Sequence, residues 1–437
     1  SYIRIKKNVK RIIGKIPLIG NFLVRKIQLL KAAFRLLAIP GEWFEALGVK
    51  YIGPVDGHNI PEIEKALNKA FYMNCPVLLH VITKKGHGYA NAEANPSFYH
   101  GVSARSDQAG KGQSYSAVMA EELSLLAEQD PDIVAVTAAM PSGTGLESFG
   151  KRYPGRFFDV GIAEEHAVTM AAGMAAAGIK PYVAIYSTFM QRAYDQLLHD
   201  CALQKLRVVI VLDRAGISGR DGRTHHGVYD IAYLNSIPNL SVCAPCCAEE
   251  LREMLRISAG SFPAGPFVIR YPAQDRFSGD LQAVLRNPVI YGKGAVLFET
   301  QVNTAQANVL IVSLGQITDQ CIRAAQLVRK QCNVTIFHAR FLKPLDEAGI
   351  LKCIADRKPD AIYSAEDGVT DAGFGSRIAM LLESQGIALH FEAIGVPAEP
   401  LDHGSVAELY QKAGIDPEGI AARILRGTEL LRKEQRA

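Results

Sequence analysis

The sequence predicts an α/β fold made of parallel sheets that are covered by helices. Short apolar runs of strand length alternate with segments of helical periodicity from residue 60 onward. The segments between them are rich in Gly, Asp and Asn, as in the connections of βαβ units. The chain has 437 residues, of which 48% are hydrophobic, and this length suggests about three domains.

The first block, residues 1–112, contains one predicted helix over 60–71 and one predicted strand over 77–83. A stretch rich in Gly, Asn and Ser, residues 84–112, is predicted to be a linker. One strand and one helix cannot form a doubly wound sheet. We therefore expect this block to be the C-terminal remnant of a larger domain.

Charge is distributed unevenly along the chain. Residues 1–50 hold eleven Lys or Arg against two Glu, whereas the remainder holds 37 against 42 acidic residues. A nucleic-acid-binding protein usually carries its basic residues on a folded face, so no nucleic-acid partner is predicted. Taken alone, the basic leader indicates a terminal arm, a membrane-surface helix or the edge of a fragment. No run of about 18 apolar residues occurs, so no membrane span is predicted.

Two further blocks, residues 113–285 and 286–437, repeat the alternation and are predicted to be the second and third domains. A long helix is predicted over 163–177. Strands are predicted over residues 133–137, 157–160, 182–186, 208–212, 240–243 and 267–271 of the second block, and over 309–314, 334–339, 361–365 and 389–394 of the third.

Three polar motifs follow strands of the second block: DVGIAEEHAV (159–168), YSTFMQRAYDQ (186–196) and DRAGISGRDGRTHHG (213–227). Because ligands of open α/β sheets bind at the carboxyl ends of the strands, these motifs predict a site at one sheet edge. The two Glu of the first motif could instead merely favour the first turn of a helix. The third motif has four glycines and no apolar run, so it is not expected in the core. Its arginines suit a phosphate or carboxylate, and the alternative is a flexible, solvated loop.

Eight cysteines in so long a chain fit reduced thiols in a cytosol-like compartment better than a disulfide framework. Cys243, Cys246 and Cys247 form a cluster, but no second pair lies at zinc-binding spacing. The cluster is therefore predicted to be structural, and no metal ligand is assigned.

Six ordered motifs resemble those of the 1-deoxy-D-xylulose-5-phosphate synthases of the transketolase superfamily: YIGPVDGH (51–58), AAMPSGTGL (138–146), IAEEHAV (162–168), YSTFMQRAYDQ (186–196), DRAG with DGRTHHG (213–227) and RFLKPLD (340–346). The resemblance implies three transketolase-type α/β domains, thiamine diphosphate with Mg²⁺ as cofactors, and a homodimer. A bacterial cytoplasm and a plastid stroma are both compatible with it, and the absence of a recognisable transit segment favours the bacterial cytoplasm. It further implies the decarboxylating condensation of pyruvate with D-glyceraldehyde 3-phosphate for isoprenoid, thiamine and pyridoxal precursor synthesis. Against this family, the basic leader resembles an internal excursion of the first domain without membrane affinity.

The resemblance also implies a role for each matching residue. Glu164 matches the Glu that activates the aminopyrimidine of the cofactor, and its neighbour Glu165 is not expected to substitute for it. His100 and His225 match proton-handling residues. The remaining assignments are Phe189, Ile162, Met140 and Lys85 for the cofactor, and Tyr186, Arg192, Arg214, Asp221 and His225 for the substrates.

Two departures from the family pattern stand out. Ala273 follows Arg270-Tyr271-Pro272 where the family has a second phosphate-binding Arg, and we hypothesise that Arg220 or Arg223 replaces it. The Gly-Asp-Gly motif that holds Mg²⁺ and diphosphate is absent, since Asp56, Asp221 and Asp367 each precede Gly but none follows one. The sequence thus carries the pyrimidine half of the site without the phosphate half.

Three functions are compatible with these observations. The favoured one is a synthase chain that lacks the N-terminal half of its first domain and is inactive or impaired in this form. The first alternative is the pyrimidine-binding subunit of a split enzyme, which a separate chain would complete. The second alternative is a non-catalytic regulatory homologue, for which Ala273 is the best argument.

Overall fold

The computed structural model describes residues 41–96, 98–100, 114–219, 221–260, 262–302 and 307–436. The chain divides into two compact units, residues 1–109 and 110–437. Residues 1–40 of the basic leader lie outside the described residues, as does Arg220.

The first unit contains two parallel strands, β1 (Lys50–Asp56) and β2 (Val77–Ile82), joined by the helix Ile60–Phe71. Asn59 caps this helix, since its side chain accepts a hydrogen bond from the Glu62 N–H at 3.3 Å. The expectation of a single strand in this block is wrong. The motif that forms β1 contains Gly53-Pro54, residues that disfavour a regular strand, and the pairing with β2 shifts register there.

The remaining helices of the first unit are short, and one of them lies in the segment that was predicted to be a linker. This segment therefore has helical structure of its own. The helices are Glu42–Ala46 and Ala90–Ala94, with a 3₁₀ turn at Phe98–His100.

The second unit contains a seven-stranded sheet of order β12-β7-β8-β6-β5-β3-β4. All its pairs are parallel except that of β12 with β7. Its central strands are buried along their whole length, as their continuous apolar sequences predict. The strands are β3 (Ile133–Thr137), β4 (Phe157–Asp159), β5 (Lys180–Tyr186), β6 (Val209–Asp213), β7 (Ser241–Cys243), β8 (Phe267–Arg270) and β12 (Phe341–Lys343).

A five-stranded sheet of order β14-β13-β10-β11-β9 follows, and it is parallel except for β9. The antiparallel edge strands β9 and β12 were not predicted. With five and three residues, they are too short for a clear pattern, and their partners in the sheets decide their pairing. The strands are β9 (Ala295–Glu299), β10 (Asn308–Ser313), β11 (Asn333–His338), β13 (Ala361–Val369) and β14 (His390–Val396).

Helices cover both sheets, and the predicted long helix forms as Glu164–Ala176. No helix in the described ranges combines the length and the hydrophobicity that crossing a membrane requires. The helices of this unit are Tyr115–Gln129, Leu146–Arg152, Glu164–Ala176, Ser187–Met190, Tyr194–Gln196, Asp230–Ser236, Ala248–Ala259, Leu281–Leu285, Ile317–Val328, Glu347–Arg357, Phe374–Ser384, Val406–Ala413 and Pro417–Arg436, with a π-helix at Leu197–Ala202 and 3₁₀ turns at Pro154–Arg156 and Gln191–Ala193.

A buried arginine links the two sheets. Arg270, at the end of β8, donates from Nε to Asp230 at 2.9 Å and from Nη1 to Asp367 in β13 at 2.7 Å. All three side chains are almost completely buried. Because a buried charge needs a partner, Arg270 fixes the two sheets against each other.

Glu366, the neighbour of Asp367 in β13, caps the helix Phe374–Ser384. Its two carboxylate oxygens accept from the backbone N–H groups of Phe374 and Gly375, each at 2.9 Å. Burial raises the pKa of Glu366 to about 7, although these hydrogen bonds favour the charged form. The cap therefore contains a carboxyl group that titrates near neutral pH.

Candidate active site

Glu164 begins the helix that follows β4, at the carboxyl edge of the seven-stranded sheet. Its side chain is 2% exposed, and Oε1 accepts a hydrogen bond from Nη1 of Arg192 at 2.8 Å. Oε2 is buried and has no hydrogen-bond partner among the described residues. Buried carboxylate oxygens are normally paired, so this oxygen is suited to accept a hydrogen bond from a ligand. If Glu164 only favoured the first turn of its helix through its negative charge, its side chain would not need to be buried.

Phe189 lies at the centre of an aromatic group formed by the predicted site residues. Its ring stacks on Tyr186 with 5.8 Å between centroids and an interplanar angle of 16°. His225 contacts the same ring edge-on at 5.4 Å, and the Arg192 guanidinium lies 5.3 Å from its centroid. Arg192 thus connects the aromatic group to Glu164, and three strand-end motifs meet here as predicted.

Arg214 follows β6 and lies 4.1 Å above the Tyr186 ring. Its Nη1 is 3.4 Å from Oδ2 of Asp221. Gly216 and Gly227 exchange two backbone hydrogen bonds of 2.8 Å, which close the loop between them. The closed loop holds Asp221 close to Arg214 and His225 against Phe189.

The expectation that this loop has no core residues is wrong, because Ala215, Ile217 and His226 are 1%, 4% and 4% exposed. Nδ1 of His226 accepts from the Ser218 N–H at 3.2 Å, so Nε2 carries the proton and donates to the Asp402 carbonyl at 3.1 Å. Arg223 pairs with the Asp402 carboxylate at 2.6 Å. The described part of the loop is therefore fastened to the segment after β14 and is not a freely solvated turn.

Met140 and Ile162 have different environments. Met140 is half-buried against the core, whereas Ile162, two residues before Glu164, is 81% exposed. A Cβ atom at Gly143 would lie 1.9 Å from the Tyr186 hydroxyl, so a larger residue at this position would require the tyrosine side chain to move. The functional roles of these residues remain predictions.

Lys85 and His100 belong to the first unit. Nζ of Lys85 lies 2.8 Å from Nδ1 of His100, and both side chains are exposed. Because a lysine ammonium can only donate, Nδ1 is the acceptor and the proton of a neutral His100 is on Nε2. The fold thus pairs two residues that the sequence analysis assigned separately.

Asp213 and Ser116 lie next to the predicted site residues, although their sequence positions did not single them out. The Ser116 hydroxyl donates to Oδ2 of Asp213 at 2.6 Å, and burial raises the pKa of Asp213 to about 6. Ser116, Arg214 and Ala273 line one cavity of about 830 Å³. The sequence feature that could have identified Asp213 is its position at a strand end, directly before Arg214.

Cys246, Glu250 and His338 are the described residues whose ligand atoms lie close enough to hold a metal ion. They are buried, and Glu250 already accepts from His338 Nε2 at 3.0 Å and Arg340 Nε at 2.7 Å. Although burial opposes it, the neighbouring His338 and Arg340 side chains lower the pKa of Glu250. The carboxylate is thus engaged in ion pairs, and the group does not resemble the oxygen-rich sites that Mg²⁺ prefers.

Three family models match the chain in order. Residues 1–83 match 1-deoxy-D-xylulose-5-phosphate synthase, residues 111–276 the transketolase pyrimidine binding domain, and residues 299–420 the transketolase C-terminal domain. The synthase of Caldanaerobacter subterraneus subsp. tengcongensis is 42% identical over 432 residues, which cover 97% of this chain and 67% of the relative. The chain belongs to the 1-deoxy-D-xylulose-5-phosphate synthase family.

Another member of this family has a similar identity to the chain. The synthase of Heliobacterium modesticaldum is 42% identical over 96% of this chain and 64% of its own length. The chain therefore spans about two thirds of the length of these relatives. The synthase family consists of thiamine-diphosphate-dependent transferases of the transketolase class, so the resemblance drawn from the six motifs and the α/β fold class are confirmed.

Solved structures support the fold. One is described as split gene transketolase, inactive beta4 tetramer, and it matches with a TM-score of 0.59 and 25% sequence identity. The match covers 73% of this chain and 99% of the transketolase chain. Transketolase from Leishmania mexicana has a TM-score of 0.54 and 20% identity over 73% of this chain and 46% of its own. The second likeness shows the fold alone.

Proposed function

We propose that this chain forms the pyrimidine-binding part of a thiamine-diphosphate-dependent synthase. The reaction is the decarboxylating condensation of pyruvate with D-glyceraldehyde 3-phosphate to 1-deoxy-D-xylulose 5-phosphate. The observation that supports it most directly is the unpaired, buried Oε2 of Glu164 beside the Phe189 aromatic group. Membership of the synthase family supports the choice of substrates.

The residues present fit the aminopyrimidine half of the cofactor. Glu164 would hold a proton between its free oxygen and a ring nitrogen, and Phe189 would pack against the ring. Ile162 and Met140 would supply apolar contacts that exclude water. When bound, thiamine diphosphate supplies the nucleophilic carbon that takes up pyruvate and releases carbon dioxide.

The acceptor would bind on the loop side of the same edge. Arg214 and Tyr186 would orient it, with Arg192 nearer the Glu164 carboxylate, and His225 would move a proton to or from its oxygen near neutral pH. Asp221 would fix the Arg214 guanidinium, which it already approaches to 3.4 Å. We assign proton handling to His100 and diphosphate binding to Lys85 on the family resemblance.

The diphosphate and Mg²⁺ half does not fit these residues. The 437 residues contain no Gly-Asp-Gly, and the candidate metal group around Glu250 is occupied by ion pairs. We propose that Mg²⁺ and the diphosphate contacts other than that of Lys85 come from outside these residues, and that residues 1–437 alone are inactive or impaired.

A second candidate is the pyrimidine-binding subunit of a split enzyme. It is supported by the match to 99% of a chain whose structure is described as a split gene transketolase. A regulatory homologue without catalysis is less favoured, because the buried Glu164 and its aromatic neighbours are retained. For the first two candidates we propose a homodimer in a bacterial cytoplasm, supported by the bacterial relatives and by a content of eight cysteines in 437 residues, which fits reduced thiols better than a disulfide framework.

Titration with thiamine and with thiamine diphosphate, with and without Mg²⁺, tests the assignment. We expect both ligands to bind the intact chain with little effect of Mg²⁺, and Glu164→Gln to weaken both at least ~10-fold because the charged acceptor is lost. Glu165→Gln is the matched control, since this neighbouring side chain is exposed. Unchanged binding by Glu164→Gln would contradict the proposed site.

A further inference from the structure

The loop that follows β6, residues 214–227, carries proposed acceptor residues and is called the acceptor loop below. Ile217 within it and Val228 directly after it pack in the same apolar cluster as Val396 and Leu401. This cluster lies on the five-stranded sheet. Both ends of the acceptor loop are therefore anchored in a core that is built mainly by the last third of the chain.

The middle of the acceptor loop lies against residues 402–404, which follow β14. A Cβ atom at Gly219 would lie 3.2 Å from the Gly404 carbonyl oxygen, and one at Gly222 would lie 3.3 Å from Cβ of His403. Both loop glycines have positive φ angles, of 91° and 74°. Glycine at these positions thus allows the loop backbone to approach the segment closely.

Asp402 binds the acceptor loop through both its side chain and its backbone. Its Oδ1 accepts from Nε and Nη2 of Arg223 at 2.9 and 2.6 Å, and its carbonyl accepts from Nε2 of His226 at 3.1 Å. The hydrogen bonds from Arg223 lower the pKa of the Asp402 carboxyl. Lys412, whose Nζ is 3.8 Å from Oδ2, is a more distant partner. The preceding residue, Leu401, is buried in the core and so fixes the position of Asp402.

His225, which is proposed to move a proton at the acceptor, directly precedes His226. Its ring contacts Phe189 edge-on at 5.4 Å, and its backbone N–H donates to the Gly222 carbonyl at 2.9 Å. Because consecutive Cα atoms are held ~3.8 Å apart, a shift of His226 also displaces His225. The contact of His226 with Asp402 therefore helps to fix the His225 ring against Phe189.

Asp221 is placed by the same segment. It lies directly before Gly222 and two residues before Arg223, and its Oδ2 is 3.4 Å from Nη1 of Arg214. The ion pair of Arg223 with Asp402 thus restrains the carboxylate that is proposed to fix the Arg214 guanidinium. Because Arg223 is engaged with Asp402, the structure gives no support to the hypothesis that Arg223 replaces the missing phosphate-binding arginine.

We infer that Asp402 is a positioning residue of the acceptor site. Through Arg223 and His226 it holds the site residues Asp221 and His225 in place. This role differs from general stabilisation, because the Arg223 and Asp402 side chains are 63% and 53% exposed, and such an ion pair adds little to the free energy of unfolding. The inference rests on the proposed function for the identity of the acceptor site, but the restraint on the loop can be measured without any ligand.

Hydrogen–deuterium exchange of the full chain tests this restraint. We expect Asp402→Ala to speed exchange of the His225 and Gly227 amides ~10-fold, because their hydrogen bonds within the loop open more often once the loop is released. Exchange in β6 should be unchanged, which separates release of the loop from a loss of global stability. Lys412→Ala is the matched control, since it removes only the distant partner of the same carboxylate.

Affinity for sn-glycerol 3-phosphate, an unreactive analogue of the acceptor, tests the consequence for the site. We expect Asp402→Ala and Arg223→Ala each to weaken binding ~3- to 10-fold, and the double variant to bind no more weakly than either. Exchanging the two charges, by Arg223→Asp together with Asp402→Arg, should restore part of the loss. If Arg223 instead bound the phosphate, Asp402→Ala would free its guanidinium and tighten binding.

Two results would overturn the inference. One is unchanged exchange of the loop amides in Asp402→Ala, and the other is equal or tighter binding of glycerol 3-phosphate by this variant than by the unaltered chain. Failure of the proposed function gives a different result. In that case the unaltered chain does not bind the analogue, while the loop amides still lose protection in Asp402→Ala, so that the positioning of the loop is supported and the acceptor site is wrong.

Discussion

Arg192 donates from Nη1 to Oε1 of Glu164 over 2.8 Å, while Oε2 of the same carboxylate is buried without a partner in the described ranges. One oxygen is thus neutralised by the protein and the other remains available. This division is the physical basis of the proposed cofactor contact, because a fully paired carboxylate could not bind another donor.

Replacing Arg192 should show how much the buried Glu164 carboxylate destabilises the fold when its ion-pair partner is absent. We expect Arg192→Met to lower the free energy of unfolding by about 1–2 kcal/mol, because the half-exposed guanidinium is the carboxylate's remaining partner. In the Glu164→Gln background the same change should cost less, since a neutral amide needs no counter-charge. Urea unfolding of the four proteins measures this coupling, and additive effects would contradict it.

Arg270 should be essential for joining the two sheets. Arg270→Met leaves the buried carboxylates of Asp230 and Asp367 without their cation, and we expect a loss of about 3–5 kcal/mol. Arg286→Met is the matched control, because its ion pair with Asp280 is exposed on both sides and should contribute at most ~1 kcal/mol. Equal effects of the two substitutions in urea unfolding would disprove the role of Arg270.

Glu366 should make stability depend on pH. Burial raises the pKa of Glu366 from 4.5 to about 7. Between these two pH values the folded state therefore keeps a proton that the unfolded state has lost. The stabilisation that Glu366 contributes is therefore complete below about pH 4.5 and is lost as the pH rises through 7, by ~3 kcal/mol in total.

The measurement is urea unfolding at pH 5 and pH 8 for the unaltered chain and for Glu366→Gln. Glu366→Gln should lose one cap hydrogen bond at both pH values, since its NH₂ group replaces an acceptor oxygen. From pH 5 to pH 8, however, its free energy of unfolding should decrease less than that of the unaltered chain. A pH dependence that is the same in both proteins would exclude Glu366 as its source.

The adjacent histidines His225 and His226 should contribute differently to stability although they belong to the same polar motif. His226 is buried between Ser218 and the Asp402 carbonyl, so we expect His226→Ala to lower the free energy of unfolding by about 1–3 kcal/mol. His225 is half-buried beside Phe189, and His225→Ala should change stability by less than about 0.5 kcal/mol. Thermal or urea unfolding distinguishes them, and a reversed order would show that the two roles are exchanged.

The sequence by itself determined the order of the central strands along the chain and the main helices. These elements are long, apolar and periodic, so local pattern decides them, as in β3, β6 and the helix Ile60–Phe71. The sequence also placed three polar motifs after strands, and parallel pairing brings such ends to one edge. The family followed from those motifs and not from composition.

Only the tertiary structure decided the pairings that depend on distant neighbours. β1 forms in spite of Gly53-Pro54 because β2 lies beside it, and β12 joins a sheet whose other strands come from the preceding block. Burial likewise separates His226 from His225 and leaves one oxygen of Glu164 unpaired. Such differences arise from packing between segments far apart in the chain, which no local pattern of residues encodes.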